Sequence, residues 1–374
     1  MGQQVRVGVV GCGAISGQYL QTIDRLSALR LTAVADIDAS RAEAVAAGRP
    51  EVRALTVDAL VADPEVDVVV NLTVPVAHAE VALKAIAAGK DVYVEKPLAA
   101  DTGQARRVLD AAEAAGVRVG CAPDTVLGTG TQTARQAIDG GAIGTPLAAT
   151  ATMVTPGHER WHPDPDFYYL PGGGPLLDMG PYYLSSLVTL LGPISTVIGA
   201  AGRARAHRVI GSGPRAGPSV PVLTDTHVTG VMTHESGVLS TLLMSFDVVA
   251  TRSSNIEVHG SGASLIVPDP NRFDGEVRLL GLDDSDWRTL PVSAGYRDGG
   301  RGYGLADMVA TPRTAEPRAG GLLAFHVLDV MESLLASARS GQAVAVRSSA
   351  ERPPVVPLTS LDQFLGSAGV ESGE

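Results

Sequence analysis

Val5-Arg6-Val7-Gly8-Val9-Val10-Gly11-Cys12-Gly13-Ala14-Ile15-Ser16 is the stretch that decides the fold. Val5 to Val10 is rich in β-branched residues and predicts a buried parallel strand. Ile15, Tyr19, Ile23 and Leu26 follow at helical spacing. Between them lies Gly-x-Gly. Gly11 permits a tight turn, and Gly13 lets backbone approach a pyrophosphate. The helix start offers unpaired N–H groups and a partial positive charge to phosphates. Gly11, Gly13, Ala14 and Ile15 are therefore candidate cofactor contacts. Ser16 stands where a third Gly or Ala is usual, which touches helix packing more than phosphate contact. The next strand signal, Leu31 to Asp36, ends in an acid. Asp36 would bond ribose hydroxyls and repel a 2′-phosphate, favouring NAD over NADP.

Outward from this turn, strand and helix signals alternate. Strands are expected over Val66 to Leu72, Val92 to Glu95 and Val117 to Cys121. Helices are expected after a capping box at Ser40 to Glu43, from Val76 to a stop at Gly89, and from Asp101 with Gln104 to Gly116. This is the signature of βαβ units and a parallel sheet. The pattern changes after residue 122. Gln132 to Ile138 reads as a connecting helix, and Leu176 to Leu191 and Gly321 to Ser337 as further helices. Thr224 to His234 with Gly237 to Phe246, and Asn255 to Gly260 with Ser264 to Val267, read as antiparallel hairpins. Gly202 to Pro221 and Gly281 to Gly320 read as loops. The expected fold is an α/β Rossmann dinucleotide-binding domain over 1–122. An α+β substrate and oligomerisation domain with a large, mostly antiparallel sheet follows over 123–355, then a tail over 356–374.

Composition narrows the function. The chain has 374 residues, 45% of them hydrophobic and 18% charged, enough for packed cores in two or three domains at roughly 150 residues each. A formal charge of -11 disfavours nucleic acid and anionic membrane surfaces, both of which reward clustered cations. No run reads as a membrane span and the N-terminus has no signal layout. Two cysteines exclude a disulfide scaffold and a Cys-built zinc site, and point to a reducing, cytoplasmic setting.

Lys84, Lys90 and Lys96 are the only lysines. Lys96, in Glu95-Lys96-Pro97, closes a strand at the carboxyl end of the parallel sheet, where open α/β folds bind ligands. An ammonium buried there has a lowered pKa and can exchange a proton with a substrate hydroxyl. His158-Glu159-Arg160-Trp161-His162 matches a zinc-protease pattern, but Pro156-Gly157 and Pro163 leave no room for the helix such a site needs. No metal is expected. The same loop gathers Trp161, Phe167, Tyr168 and Tyr169. Aromatic faces suit the C–H faces of sugar rings, and His158, His162 and Asp166 can bond hydroxyls. Asp124 is a further candidate acceptor for sugar hydroxyls, and His326 either lines the crevice or is a satisfied core histidine.

The Gly11 turn, Thr73-Val74-Pro75 with His78, Glu95-Lys96-Pro97, Gly141-Ala142-Ile143-Gly144 and Gly172 to Asp178 resemble the Gfo/Idh/MocA oxidoreductases. The likeness runs through nearly the whole chain. It implies hydride transfer between a carbohydrate-like carbinol and nicotinamide, with Thr73, Pro75, His78, Glu95 and Lys96 near the cofactor. It also implies that Lys96 acts with an Asp and a His four residues apart on one helix. Asp178 matches the first; the second is Tyr182, which shares a helical face with it. A tyrosine can donate or accept the proton if a nearby cation lowers its pKa, so the base is Tyr182 or Lys96. Within the family an NAD-dependent glycoside hydrolase, acting by transient oxidation, elimination, hydration and re-reduction, is the alternative to a sugar or cyclitol dehydrogenase. Retention of Lys96, Asp178 and Tyr182 argues against an inactive sensor. The exposed face of the antiparallel sheet predicts a homodimer or homotetramer formed sheet to sheet.

Overall fold

The structure, a computed structural model, describes residues 4–361 and 363; most of the expected 356–374 tail lies outside them. The chain forms two compact units, Met1–Gln132 with Ser293–Phe325 and Pro353–Glu374, and Thr133–Val292 with His326–Arg352. By this division the chain re-enters the first unit twice.

The first unit holds β1 (Val5–Val10), α1 (Ser16–Arg25), β2 (Leu29–Ala35), α2 (Ala39–Ala47), β3 (Arg53–Leu55), α3 (Val57–Ala62) and β4 (Val68–Asn71). Next come α4 (Pro75–Ala87), β5 (Asp91–Val94), α5 (Thr102–Ala115) and β6 (Val119–Cys121). The six strands pair in parallel in the order β3-β2-β1-β4-β5-β6. The order reverses between β1 and β4, so the chain leaves these neighbours in opposite directions and opens a crevice there. Val7, Val9, Val34, Val69, Val70, Val92 and Val94 are fully buried, as strands covered on both faces require. Helix α2 is capped by Asp38, whose carboxylate accepts the Ser40 N–H, rather than by the expected box at Ser40. Asp101 caps α5 through the Gln104 N–H, and Gly116 ends it left-handed, as its sequence predicts. The short elements β3 and α3 have no comparable signal. The Gly281 to Gly320 segment is not loop throughout. It forms α9 (Tyr303–Ala310), and Gly320 bridges Gly120 at the outer edge of β6.

Helix α6 (Thr129–Asp139) leads into the second unit. Its elements are β7 (Pro146–Val154), α7 (Asp166–Tyr169), α8 (Pro175–Leu191), β8 (Ile194–Gly202), β9 (His207–Val209), β10 (Ser219–Pro221), β11 (His227–His234) and β12 (Leu239–Ser245). There follow β13 (Ile256–Gly260), β14 (Ala263–Val267), β15 (Arg278–Gly281), β16 (Arg288–Thr289), α10 (Gly321–Ser340) and β17 (Val344–Ala345). Nine strands form one sheet in the order β16-β15-β14-β13-β7-β12-β11-β8-β17. Only β7 and β12 run parallel. Both expected hairpins are present, but they flank β7, which the sequence does not announce. Gly202 to Pro221 also forms a small hairpin, β9 with β10.

Helix α8 continues through Pro181. Helix α10 is long and apolar enough to cross a membrane by length and composition alone. Its Val330, Met331 and Leu334 are core, and Leu334 lies against β8 and β11. A Cβ on Gly199 would stand 2.4 Å from the Leu334 carbonyl oxygen, so neither backbone can yield. Gly199→Ala should lower the unfolding free energy in urea by about 1–3 kcal/mol. Gly202→Ala, at a strand end with open space around it, should change it by less than about 0.5 kcal/mol.

Candidate active site

The first unit builds its site at the carboxyl ends of the parallel strands. Gly11 has φ 100°, and a Cβ there would meet the Leu72 carbonyl oxygen at 2.6 Å. Only glycine lets the turn lie this close to β4. A Cβ on Gly13 would meet nothing within 4 Å, which is the open cradle a pyrophosphate needs. Ala14 is exposed and Ile15 half-buried. The Ser16 hydroxyl donates to the Gly13 carbonyl at 2.7 Å, so the polar third position is satisfied within the turn. Asp36 accepts the Cys12 N–H at 2.7 Å and the Asp38 N–H at 2.9 Å. Its carboxylate is thereby held at the end of β2, beside the turn. Burial and the Asp36 charge push the Cys12 thiol up to about 11, which leaves it unreactive. These residues fit NAD.

At the end of β4, Thr73 donates its hydroxyl to Asn71 at 2.6 Å, while Val74, Pro75 and Val76 are exposed. His78 and Glu95 are placed differently from the expectation. His78 is fully buried, with Nδ1 2.6 Å from the Pro97 carbonyl and Nε2 3.0 Å from that of Thr73. It ties two loops together and has no surface for a cofactor. Burial lowers its pKa, and a neutral ring can donate to only one of the two carbonyls. Glu95 is also buried. It accepts the Tyr19 hydroxyl at 2.8 Å and the Lys96 N–H at 2.8 Å. Glu95 is thus a fastener between α1 and the lysine, and Tyr19, legible only as an apolar helix position, is the partner that sequence reasoning missed.

Asp124 does not face a substrate. It is fully buried, and one oxygen accepts the Gly302 and Gly304 N–H groups at 2.7 and 3.0 Å. It clamps the turn that starts α9. Burial pushes its carboxyl up, while the Arg301 guanidinium pulls the other way.

In the second unit Asp178 and Tyr182 lie one turn apart on α8. Tyr182 is 7% exposed. The His158 Nδ1 stands 3.7 Å from Asp178 Oδ2, so the proline-rich loop and the helix share one corner. His158 opens a 3-10 turn of three residues, too short for a zinc helix. Among the described residues no cluster of three or more potential ligands could hold a metal ion.

The loop is anchored from beneath by charge. Arg208 is wholly buried. It donates to Glu159 at 2.9 Å, to the Pro156 and Phe246 carbonyls at 2.9 and 2.8 Å, and to Asp247. The Tyr169 hydroxyl donates to Glu159 and accepts the His158 N–H. Tyr169 therefore belongs to this core network and not to a sugar face. Nothing in the sequence pairs Arg208 with Glu159, which lie 49 positions apart. Trp161 and Phe167 are more than half exposed, Tyr168 and His162 half-buried. The His162 Nδ1 accepts the Asp164 N–H. His326 is a core residue. Its Nε2 accepts the Ile194 N–H at 3.0 Å, which leaves Nδ1 to donate to Ser348. Burial keeps the ring neutral by lowering its pKa.

The comparisons with known proteins agree with this architecture. A solved NAD-binding oxidoreductase from Klebsiella pneumoniae superposes with a TM-score of 0.80 at 26% identity, covering 93% of this chain and all of the other. A levoglucosan dehydrogenase solved with NADH superposes at 0.77 and 21% identity over 92% of this chain, a likeness of fold. An inositol 2-dehydrogenase of Ralstonia nicotianae is 39% identical over 150 residues, which are 38% of this chain and 44% of that protein. A second, from Saccharopolyspora erythraea, is 38% identical over 46% of its length. The matches thus span less than half the length of these two inositol 2-dehydrogenases. An oxidoreductase family model with an NAD-binding Rossmann fold matches residues 5–122, and the corresponding C-terminal domain model matches 131–266. Together these cover more than half of the sequence, and the chain belongs to the Gfo/Idh/MocA oxidoreductase family, with an NAD-binding first domain.

Proposed function

We propose that this protein is an NAD-dependent dehydrogenase of a sugar or cyclitol carbinol. The observation that carries the reading is Lys96. It stands at the carboxyl end of β5, fastened through its own N–H to a buried carboxylate, in the same strand-end row as the phosphate turn. The inositol dehydrogenase relatives support the substrate class. When bound, NAD supplies the hydride acceptor. Oxidation then requires the hydroxyl proton to leave as the carbinol C–H gives up its electron pair. In the first unit Lys96 Nζ is the candidate acceptor of that proton; in the second, Tyr182 Oη is the alternative acceptor and Asp178 the candidate hydrogen-bond acceptor for substrate hydroxyls. Trp161 and Tyr168 supply apolar faces to the ring, and His162 a further polar contact.

Purified protein with excess NAD should show sustained NADH growth with at least one free sugar or cyclitol. Aglycone release from aryl glycosides, dependent on NAD and without net NADH, would establish the redox-assisted hydrolase instead. Lys96→Ala should lower kcat by about 10²-fold or more while NADH affinity stays near that of wild type. Turnover within a few-fold of wild type would remove Lys96 from the proton path.

We also propose that the outer face of the nine-stranded sheet joins copies of this chain. Ile198, Val231 and Thr241 are cross-strand neighbours, and Ile198, Val231 and Leu239 are exposed. Apolar side chains in rows on a sheet face favour burial against a second sheet. Light scattering at micromolar concentration should return a dimer or tetramer, and Val231→Glu should shift it toward monomer. A monomeric wild type would exclude this interface.

A further inference from the structure

The loop between β7 and α8 brings an imidazole to Asp178. The two residues are twenty positions apart in sequence, and nothing in their local pattern joins them. Three features fix His158 in place. Its N–H donates to the Tyr169 hydroxyl at 3.1 Å. Its ring lies edge-on to Tyr168 at 4.4 Å between centroids and against Phe246 at 4.3 Å, with Trp161 at 5.1 Å. Pro156, two residues before it, and Glu159, the residue after it, are both bonded by the buried Arg208. The backbone that carries the ring therefore cannot move away without breaking a core ion network. Its Nδ1 faces Asp178 Oδ2 at 3.7 Å, with side chains 12% and 19% exposed. That separation exceeds a hydrogen bond, so the pair interacts through charge in a partly dehydrated corner.

We propose that His158 is a positioning residue of the substrate site and works through Asp178. This rests on the reading that Asp178 holds the substrate hydroxyls. The imidazole packs beside the carboxylate and holds it aimed, and the protonation of His158 sets how tightly it does so. The groups facing His158 are Asp178 on α8, Tyr168 on α7, the Tyr169 hydroxyl, and the Glu159–Arg208–Asp247 network behind the loop. In that network the acids are matched to Arg208, and the ring meets the charge of Asp178 directly. An opposite charge at this distance favours the protonated imidazole.

Two measurements on the full-length protein test this. The first is the titration of the His158 ring followed by NMR of labelled imidazole. Asp178→Asn should move its midpoint down by about one pH unit; an unmoved midpoint overturns the proposal. The second is the pH profile of kcat/KM for the best polyol substrate. His158→Gln keeps a polar side chain and removes the titration. It should lower kcat/KM by about 10- to 100-fold and erase the limb in the imidazole range, with NADH affinity unchanged. A profile of the same shape within twofold of wild type overturns the proposal. If wild type oxidises no sugar or cyclitol, the dehydrogenase reading fails, and the NMR titration still decides whether the pair is coupled. If His158→Gln does not fold, that titration decides alone.

Discussion

A parallel strand cannot turn directly into its neighbour, so each strand of the first unit must hand the chain to a loop and a helix before it returns. Everything that bears on function in that unit follows from this constraint. The carboxyl ends of β1, β2, β4 and β5 all open on the same edge. There the sequence places Gly11 and Gly13, Asp36, Asn71 to Thr73, and Lys96 in turn. Because the strand order reverses between β1 and β4, the first of these loops departs one way and the third the other. Gly11 can then lie against the Leu72 carbonyl with only hydrogen between them. Glu95 closes the arrangement from below, joining Tyr19 of the first helix to the backbone of Lys96. The phosphate-facing helix and the lysine are thereby referenced to one buried carboxylate.

The second unit solves a different problem. Its sheet has one covered face, and the site proposed in it lies on a loop and on one turn of α8. A loop rich in Pro and Gly has few backbone bonds of its own, so it must be fixed by side chains. Arg208 does this with four acceptors. Buried ion pairs are close to neutral in net stability, but leaving one partner unpaired costs about 3–5 kcal/mol. Such a network adds little to the folding free energy and much to the uniqueness of the loop conformation.

The sequence is most readable where local and global signals coincide. In the first unit, Val-rich strands, the Asp101 cap and Gly116 stop all act within a few residues, and the elements lie close to where they were expected. Strand β7 was hidden because Pro146-Leu147-Ala148-Ala149-Thr150-Ala151 alternates Ala with Thr and Ala, too weakly apolar to mark a central strand. Helix α9 was hidden by its Gly-rich flanks. The phosphate turn and Asp36 could be recognised because their chemistry is local. Burial is not local, and it separates His326, Tyr169, Asp124, His78 and Glu95 from the surfaces their chemistry suggested. Polar residues at strand ends and in aromatic loops look the same in sequence whether they meet a ligand or a carbonyl from another part of the fold. The meeting of His158 with Asp178, and the anchoring of the His158 loop by Arg208, depends on contacts across tens of residues that no periodicity records.

The loop that carries His158 is held by two sets of charges in different surroundings. Arg208 with Glu159 and Asp247 is shut away from solvent. Arg215 with Asp164 and Asp166 lies at the rim, largely exposed. Counterions reach the second set and not the first, since screening acts over about 8 Å of water at physiological ionic strength and hardly at all inside a core. Salt therefore acts on this loop selectively: it loosens the outer edge around Phe167 and leaves the base beneath His158 rigid. The segment thus has a salt-sensitive margin and a salt-blind root.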